Sequence, residues 1–532
     1  MSSTHGVGSP AIILPGIPAT LDPSRVVAQM VRRASSIGFD AWWQRAQSVG
    51  FCAHPIQLVG TNEFGRETVV WVRCNNRRAT VCPSCSDLYA RDTWQLVAAG
   101  TAGGRHHIPV SVAAHPQVFA TLTAPSFGAV HASSGTPCRD HRRIGEFRRC
   151  PHGTSLWCNT THDHNDPMVG QPLCLECYDY TGHVLFTWHL PELWRRFTIT
   201  LRRAVSGKLK SAGIQPKSVR VSFVKVVEMQ ARAVPHIHTL IRLDPADPAT
   251  STGTTTSGDD DVHGPAATSG GGEHRHETRP VWESPLSAAE LATLTQYAAR
   301  TVSFEVPDPT AHGPNETAAL VVRFGTQIDT QPLNAEAIVR VDDSENRDVS
   351  IGRLSPRRVA GYLAKYVTKS SADFGISARR LSAEAIADLD VTEHVRAILT
   401  TISALAEVAR QGLGTLTGIG RWLHTLGYRG HITTKSRRYS TTMGALRAIR
   451  ATWTRQQATN NAASQHDPIG VERNALVNGD EVWWEFDRAG HATPGDRTLV
   501  VSAALRHIHA RRTGLVEIRA LRADHPPGVS DG

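Results

Sequence analysis

The segment from Val226 to Ile241 reads Val-Val-Glu-Met-Gln-Ala-Arg-Ala-Val-Pro-His-Ile-His-Thr-Leu-Ile. Alternate residues on a strand share a face, so His236 and His238 emerge together while Ile237 turns to the opposite side. Two imidazoles at that spacing can bind one divalent ion. Glu228 would lie about 26 Å from His236 on one continuous strand. A hairpin through Gln230 to Pro235 would bring it back beside the pair, giving two histidines and one carboxylate with open coordination positions. A His-x-His pair is also common as two half-exposed strand residues, and that reading stays open.

A second segment, Val359 to Lys369, reads Val-Ala-Gly-Tyr-Leu-Ala-Lys-Tyr-Val-Thr-Lys. In a helix Tyr362 and Tyr366 are four apart and share one face, and Lys365 and Lys369 share an adjacent one. A phenol with an ordinary pKa of about 10 is a weak nucleophile. Nearby cations favour the phenolate and stabilise charge on an attacked phosphate. Two tyrosines on one helix could serve two successive strand transfers. The competing reading is an amphipathic helix with packed tyrosines and solvated lysines.

Nine cysteines fall in two clusters. Cys82-x-x-Cys85 and Cys174-x-x-Cys177 have metal-knuckle spacing. Cys52 and Cys74 precede the first; Cys150 and Cys158, with His152 and His162, precede the second. Two tetrahedral zinc sites, from Cys52, Cys74, Cys82 and Cys85 and from Cys150, Cys158, Cys174 and Cys177, would use eight cysteines and leave Cys138 over. The ligand partition stays open, as does a reading of buried reduced thiols. Four-cysteine sites have no open position, so the chemistry is assigned to the histidines.

These groups need elements to hold them. Helical periodicity covers 22–48, 86–99, 191–212, 286–301 and 358–370, and a helical pair is expected over 382–417. Ser86 or Asp87 is a cap candidate for the helix ending at the glycines near 100–104. Strands are expected at 118–123, 219–227 and 236–243. Residues 1–20 and 244–281 have compositions that bury too little surface to order a chain. The expected organisation is a disordered leader (1–20), an N-terminal helix with the first cysteine cluster (21–105), a catalytic unit (106–375) with a cysteine-rich insert (138–180) and a disordered insert (244–281), a basic helical region (376–455) and a C-terminal extension (456–532).

The chain has 532 residues, 57 Lys and Arg against 48 Asp and Glu, a net charge of +9 and an apolar content of 40%. That supports several units with sizeable cores and a polyanionic partner. Arg421 to Arg455 interleaves cations with Trp422, Tyr428, Tyr439 and Trp453, suiting DNA contacts, with Lys435, Arg437 and Arg438 as candidates. A solvated basic surface is the alternative. No apolar run approaches the ~20 residues of a membrane span, and no secretion signal is evident, so a cytoplasmic protein is expected. No Gly-x-x-x-x-Gly-Lys phosphate loop occurs, which argues against a fused helicase.

Together these segments resemble the His-hydrophobic-His (HUH) endonuclease superfamily. Phe119-Ala-Thr-Leu-Thr123 is similar to its first motif, His236-Ile-His238 with Glu228 to its second, and Val359 to Lys365 to its third. Tyr366 and Lys369 resemble the two-tyrosine branch. Cys82-Pro-Ser-Cys85, Pro172 to Tyr180, Gly427 to His431 and Thr434 to Tyr439 resemble initiators of actinomycete plasmids, over roughly 25–455. The resemblance implies an α+β fold with a central antiparallel five-stranded sheet, here with inserted zinc-binding segments and a mainly helical C-terminal region. It implies Mg or Mn held by Glu228, His236 and His238, with Tyr362 as principal nucleophile, Tyr366 as the second, and Lys365 and Lys369 assisting. The product would be a 5′-phosphotyrosyl link and a 3′-hydroxyl primer for rolling-circle replication. Single- and double-stranded DNA, a host helicase and a polymerase would be the partners. Ala-Val-Pro stands before His236 where the family pattern has a glycine turn. A transposase or conjugative relaxase shares this chemistry; a zinc-containing DNA-binding regulator is the non-catalytic alternative.

Overall fold

The computed structural model describes residues 21–62, 65, 67–133, 135–139, 149–246, 282–309, 319–333, 355–369, 371–376, 380–412, 414–462 and 482–524. The expectations for 1–20, and for nearly all of 244–281, lie outside these residues. In chain order the elements are α1 (Pro23–Ala34), α2 (Phe39–Ser48), β1 (Ile56–Asn62), β2 (Glu67–Val72), α3 (Pro83–Ala102), β3 (Gln117–Leu122), α4 (Tyr180–Ser211), β4 (Val219–Met229), β5 (Pro235–Pro245), α5 (Ala288–Thr301), β6 (Ser303–Pro307), β7 (Ala319–Arg323), β8 (Ile328–Leu333), α6 (Pro356–Tyr366), α7 (Glu393–Arg410), β9 (Thr433–Lys435), α8 (Met443–Ala462), β10 (Val482–Ala489) and α9 (Pro494–Asp524). None of the described helices is long and apolar enough to cross a membrane.

The chain is α+β, and its centre is an antiparallel five-stranded sheet in the order β8-β3-β5-β4-β9. The period of two decides what each face carries. Val118, Ala120 and Leu122 of β3 and Ile237, Ile241 and Leu243 of β5 join the core beneath α4, α5 and α7. Phe119, Val224, Val226 and Leu240 face the other way, into a smaller core with Leu96 and Val97 of α3 and Val359, Ala360 and Leu363 of α6. His236 and His238 alternate with Ile237, so they open onto the α3/α6 side. Both faces of β5 are buried, so its polar residues His236, His238, Thr239, Arg242 and Asp244 are buried with its apolar ones.

Several elements differ from expectation. Helix α3 starts at Pro83, with Cys82 as its N-cap residue and Pro83 preset for the first turn. Helix α4 starts at Tyr180, capped by Asp179, and runs through Pro191. Residues 183–190 are buried all round, so they show no polar face to betray a helix. The described residues of 382–417 form one α-helix, α7, capped by the Thr392 side chain, beside two short 3-10 turns. The C-terminal residues hold two long helices, α8 and α9, rather than short ones. Strand β10 pairs with β1 in a second sheet of order β10-β1-β2. Arg33 of α1 clamps Asp496 of α9 at 2.8 and 2.9 Å, and Val500, Val501 and Ala503 of α9 pack on Trp42, Phe51 and the first cysteine cluster.

Candidate active site

Strands β4 and β5 form a hairpin in which Glu228 lies directly across from His236 and Val226 across from His238. One carboxylate oxygen, Glu228 Oε2, is 3.0 Å from His236 Nε2 and 2.9 Å from His238 Nε2. All three side chains are buried. The hairpin turn uses Ala233 in the left-handed region, φ +58°, where a glycine would be expected. That turn is held from behind: His183 Nε2 lies 3.2 Å from Ala233 O, and His394 Nε2 lies 3.1 Å from Arg232 O.

Helix α6 lays its tyrosine face over the histidines. Tyr362 Oη is 3.4 Å from His238 Nε2, and the two rings meet edge-on at 4.9 Å. Tyr366 packs 4.6 Å from Tyr362 and 5.5 Å from His238. Lys369 Nζ donates to Glu228 Oε1 at 2.8 Å. Lys365 is exposed, its Nζ 5.9 Å from the Tyr366 ring centre. So Glu228, His236, His238, Tyr362, Tyr366 and Lys369 converge, and Lys365 stands at the rim. Arg77, from the loop between Cys74 and Cys82, donates to Val367 O at 3.0 Å and Lys369 O at 2.6 Å, tying down the end of the helix.

Burial alone would push the Glu228 carboxyl up, but hydrogen bonds from His236, His238 and Lys369 outweigh it and hold the group well below the usual carboxylate range. Burial pushes His238 down, keeping the imidazole neutral and able to donate a lone pair. Burial raises the Tyr362 phenol well above its ordinary value, with Tyr366 and Glu228 adding to the effect. A cation among these groups would counter that rise. One site residue had no role assigned from sequence: Thr121, across from His238 on β3, places its Oγ1 3.1 Å from His238 Nδ1. Its place in the Phe119–Thr123 segment was the available signal.

The cysteines form three groups, each with ligand atoms close enough to hold a metal ion such as zinc. Cys52, Cys74, Cys82 and Cys85 come together, and backbone N–H groups of Ala53 and Cys74 point at Cys82 and Cys52 sulfurs. The second group needs a correction. Cys158 does not join Cys150, Cys174 and Cys177; their fourth member is His152, with Nδ1 3.2 Å from Cys177 Sγ. Cys158 sits instead with His131, Cys138 and His162, so Cys138 is not left over. Chain order misleads because the two groups draw their members alternately along the chain.

The basic candidates lie elsewhere on the sheet. Lys435 Nζ is spent on its own loop, donating to the carbonyls of Ser436, Arg437 and Ser440. Arg437 and Arg438 border a shallow depression with Arg202 and Arg220. Arg220 and Glu228 are near opposite ends of β4, so this patch is remote from the histidines.

The sequence profile of a family described as "Replication initiator protein, pSAM2" matches residues 38–505. A replication initiator protein of Streptomyces ambofaciens is 33% identical over 514 residues, covering 92% of this chain and 95% of that protein. No solved structure matches the chain.

Proposed function

Because the chain belongs to the replication initiator family of the pSAM2 type, we propose that it starts plasmid replication by nicking one DNA strand with a tyrosine, as a two-tyrosine HUH endonuclease. The observation that carries this reading is the placement of the Tyr362 hydroxyl 3.4 Å from a histidine that shares one carboxylate oxygen with its neighbour. The phenolic oxygen attacks the scissile phosphorus and the bond to the 3′ oxygen breaks. The protein keeps the 5′ phosphate as a phosphotyrosine, and the released 3′ oxygen takes a proton to become the primer hydroxyl. Tyr366 on the same face is available for a second transfer.

Glu228, His236 and His238 would hold Mg or Mn, which when bound supplies Lewis-acid polarisation of the phosphate. The donor set fits. Two donors each about 2.1 Å from an octahedral ion stand about 3.0 Å apart, matching the 2.9 and 3.0 Å separations here. Thr121 orients His238 so that Nε2 faces the carboxylate, and Lys369 supplies a fixed positive charge beside it. Zinc at Cys52, Cys74, Cys82 and Cys85 would brace α3 against α6. Arg437 and Arg438 would contact duplex or single-stranded DNA near the origin.

The catalytic unit in this reading spans 106–375, completed by β9, between the cysteine-rich N-terminal unit (21–105) and the basic region (376–455). A host helicase and polymerase would extend the primer in the cytoplasm. Family membership favours replication over transposition or conjugation, and the converging tyrosines and histidines favour an enzyme over a non-catalytic zinc regulator.

The test is conversion of supercoiled origin plasmid to open circle, with and without Mg or Mn. Wild type is compared with Tyr362→Phe, Tyr366→Phe, the double variant and His236→Ala. Metal-dependent nicking that leaves protein on the 5′ end, and is lost in the double variant and in His236→Ala, is expected. Equal DNA binding by all with nicking by none would sink the proposal.

A further inference from the structure

The lobe between β3 and α4 should not hold together by ordinary packing. Across the described residues of 128–177 it contains no α-helix and no strand, only isolated bridges such as Val130–Pro172 and Arg139–Cys158. Among its described residues the only buried apolar side chains are Cys150, Pro172 and Cys174. A segment this poor in core needs covalent or metal cross-links to adopt one shape.

We propose that this lobe is folded by two zinc ions with interleaved ligand pairs, and that the ion held by His131, Cys138, Cys158 and His162 is a third structural zinc of the chain. The ligand order carries the topology. His131 and Cys138 belong to one ion, Cys150 and His152 to the other, Cys158 and His162 to the first again, and Cys174 and Cys177 to the second. Each ion therefore closes a loop that contains a ligand pair of the other, and the two crossings fix the path of a chain that has no core to fix it.

The distances are those of a tetrahedral shell. A zinc ion about 2.3 Å from sulfur and about 2.0 Å from nitrogen sets neighbouring ligand atoms about 3.3–3.8 Å apart. His131 Nδ1 lies 3.2 Å from His162 Nε2, Cys158 Sγ lies 3.4 Å from His162 Nε2, and Cys138 Sγ lies 3.8 Å from His131 Nδ1. The far nitrogen of His162 meets Asp166 Oδ2 at 2.7 Å, and Asp166 is itself fixed by the Met168 N–H at 2.8 Å. A carboxylate behind a ligating imidazole fixes its tautomer and raises its basicity. Two thiolates and two neutral imidazoles also balance the charge of the ion.

The lobe has a place to press. Gly170 lies so close to the Ala231–Arg232 backbone that a Cβ there would collide with it. That backbone is the turn between Glu228 and His236, so the folded lobe acts as a buttress for the hairpin.

This inference is independent of the nicking reading and is tested by counting metal. Zinc per full-length chain is measured in protein carrying His236→Ala and His238→Ala, so that the carboxylate site contributes none. Three ions are expected, falling to two when Cys138→Ser and Cys158→Ser are added. Two ions at the start, unchanged by the added serines, would overturn the proposal. So would a Cys138–Cys158 disulfide in natively isolated protein, read as two thiols that resist alkylation in denaturant and chelator until a reductant is added. Because the serine variant can misfold, His131→Cys provides a second arm. It keeps the donor number, so it should retain three ions, and with cobalt in place of zinc it should show stronger thiolate-to-metal absorption than the parent. An unchanged cobalt spectrum would refute ligation by His131.

Discussion

Replacing Thr121 by valine isolates a single contact at the histidine pair. Valine has nearly the shape of threonine and favours strands at least as well, so β3 and its pairing should survive. What is lost is the hydroxyl 3.1 Å from His238 Nδ1. His238 is 1% exposed, so no water replaces it. The Nδ1 atom is then buried without a partner, a penalty of about 1–3 kcal/mol. Without an ion, His238 Nε2–H donates to Glu228; binding an ion through Nε2 needs the proton on Nδ1, where the Thr121 hydroxyl accepts it, so the valine variant leaves that tautomer with an unpaired buried N–H. Loss of a partner behind a ligating histidine typically weakens metal binding about 10- to 100-fold, equivalent to about 1.4–2.7 kcal/mol. The measurement is calorimetric titration of Mn into wild type, Thr121→Val and Thr121→Ser, followed by single-turnover nicking over a range of Mn concentrations. Thr121→Ser keeps the hydroxyl and should stay near wild type. Thr121→Val should bind Mn about 10- to 100-fold more weakly and regain much of its rate at high Mn. If Thr121→Val binds Mn within twofold of wild type, the orienting role assigned to Thr121 is wrong.

Further outcomes follow from the same geometry. Lys369→Met removes the cation 2.8 Å from Glu228 and should slow single-turnover cleavage about tenfold or more, whereas Lys365→Met, altering an exposed side chain, should stay within about threefold. Lys435→Ala strips three carbonyls of a shared donor and should lower the melting temperature; Arg437→Ala and Arg438→Ala should each reduce the salt slope of DNA binding by about one. Burial lowers His183 to about 3 and His189 to about 4. The unfolded chain therefore binds more protons below pH 6.5, and stability is lost as pH falls from 6.5 toward 4. Each histidine contributes a loss on the order of 3 kcal/mol by pH 4, about 6 kcal/mol for the two, and denaturant titrations showing a flat profile over that range would contradict it. His189→Phe removes a buried nitrogen without a hydrogen-bond partner and should both flatten that profile and preserve stability at pH 7.

What was legible in the sequence was whatever depends on short periods. The two-residue repeat puts His236 and His238 on one face whatever the sheet around them, and the four-residue repeat does the same for Tyr362 and Tyr366. Glu228 is legible through a hairpin at Gln230–Pro235, since pairing then sets it opposite His236. The zinc partition was not legible. Cys150 and Cys158 are near neighbours in sequence but sit in different groups, because a stretch without helix or strand has no short period that fixes which side chains meet. Nor was the union of β1 with β10. Edge pairing between strands more than 400 residues apart leaves no local pattern, and Trp483, Trp484 and Phe486 remain exposed enough that burial gives no alternation to read.

The cysteine-rich segments also bear on how the tyrosine helix is held. Helix α6 is only Pro356–Tyr366, too short to be stable alone. Its position comes from the apolar stripe Val359, Ala360 and Leu363 on the sheet and α3, and from Arg77 capping the carbonyls of Val367 and Lys369. Arg77 lies between Cys74 and Cys82, and α3 begins at Cys82. The same four-cysteine group thus fixes both the helix beneath α6 and the guanidinium at its end. On the other side, Gly170 of the second cysteine lobe abuts the turn that carries Glu228 round to His236. The tyrosine helix and the Glu228–His236–His238 group are therefore each braced by a different cysteine-rich segment. Placing a phenol within 3.4 Å of His238 depends on both braces at once, which gives a physical reason for cysteine clusters on either side of β3, far from the histidines in sequence.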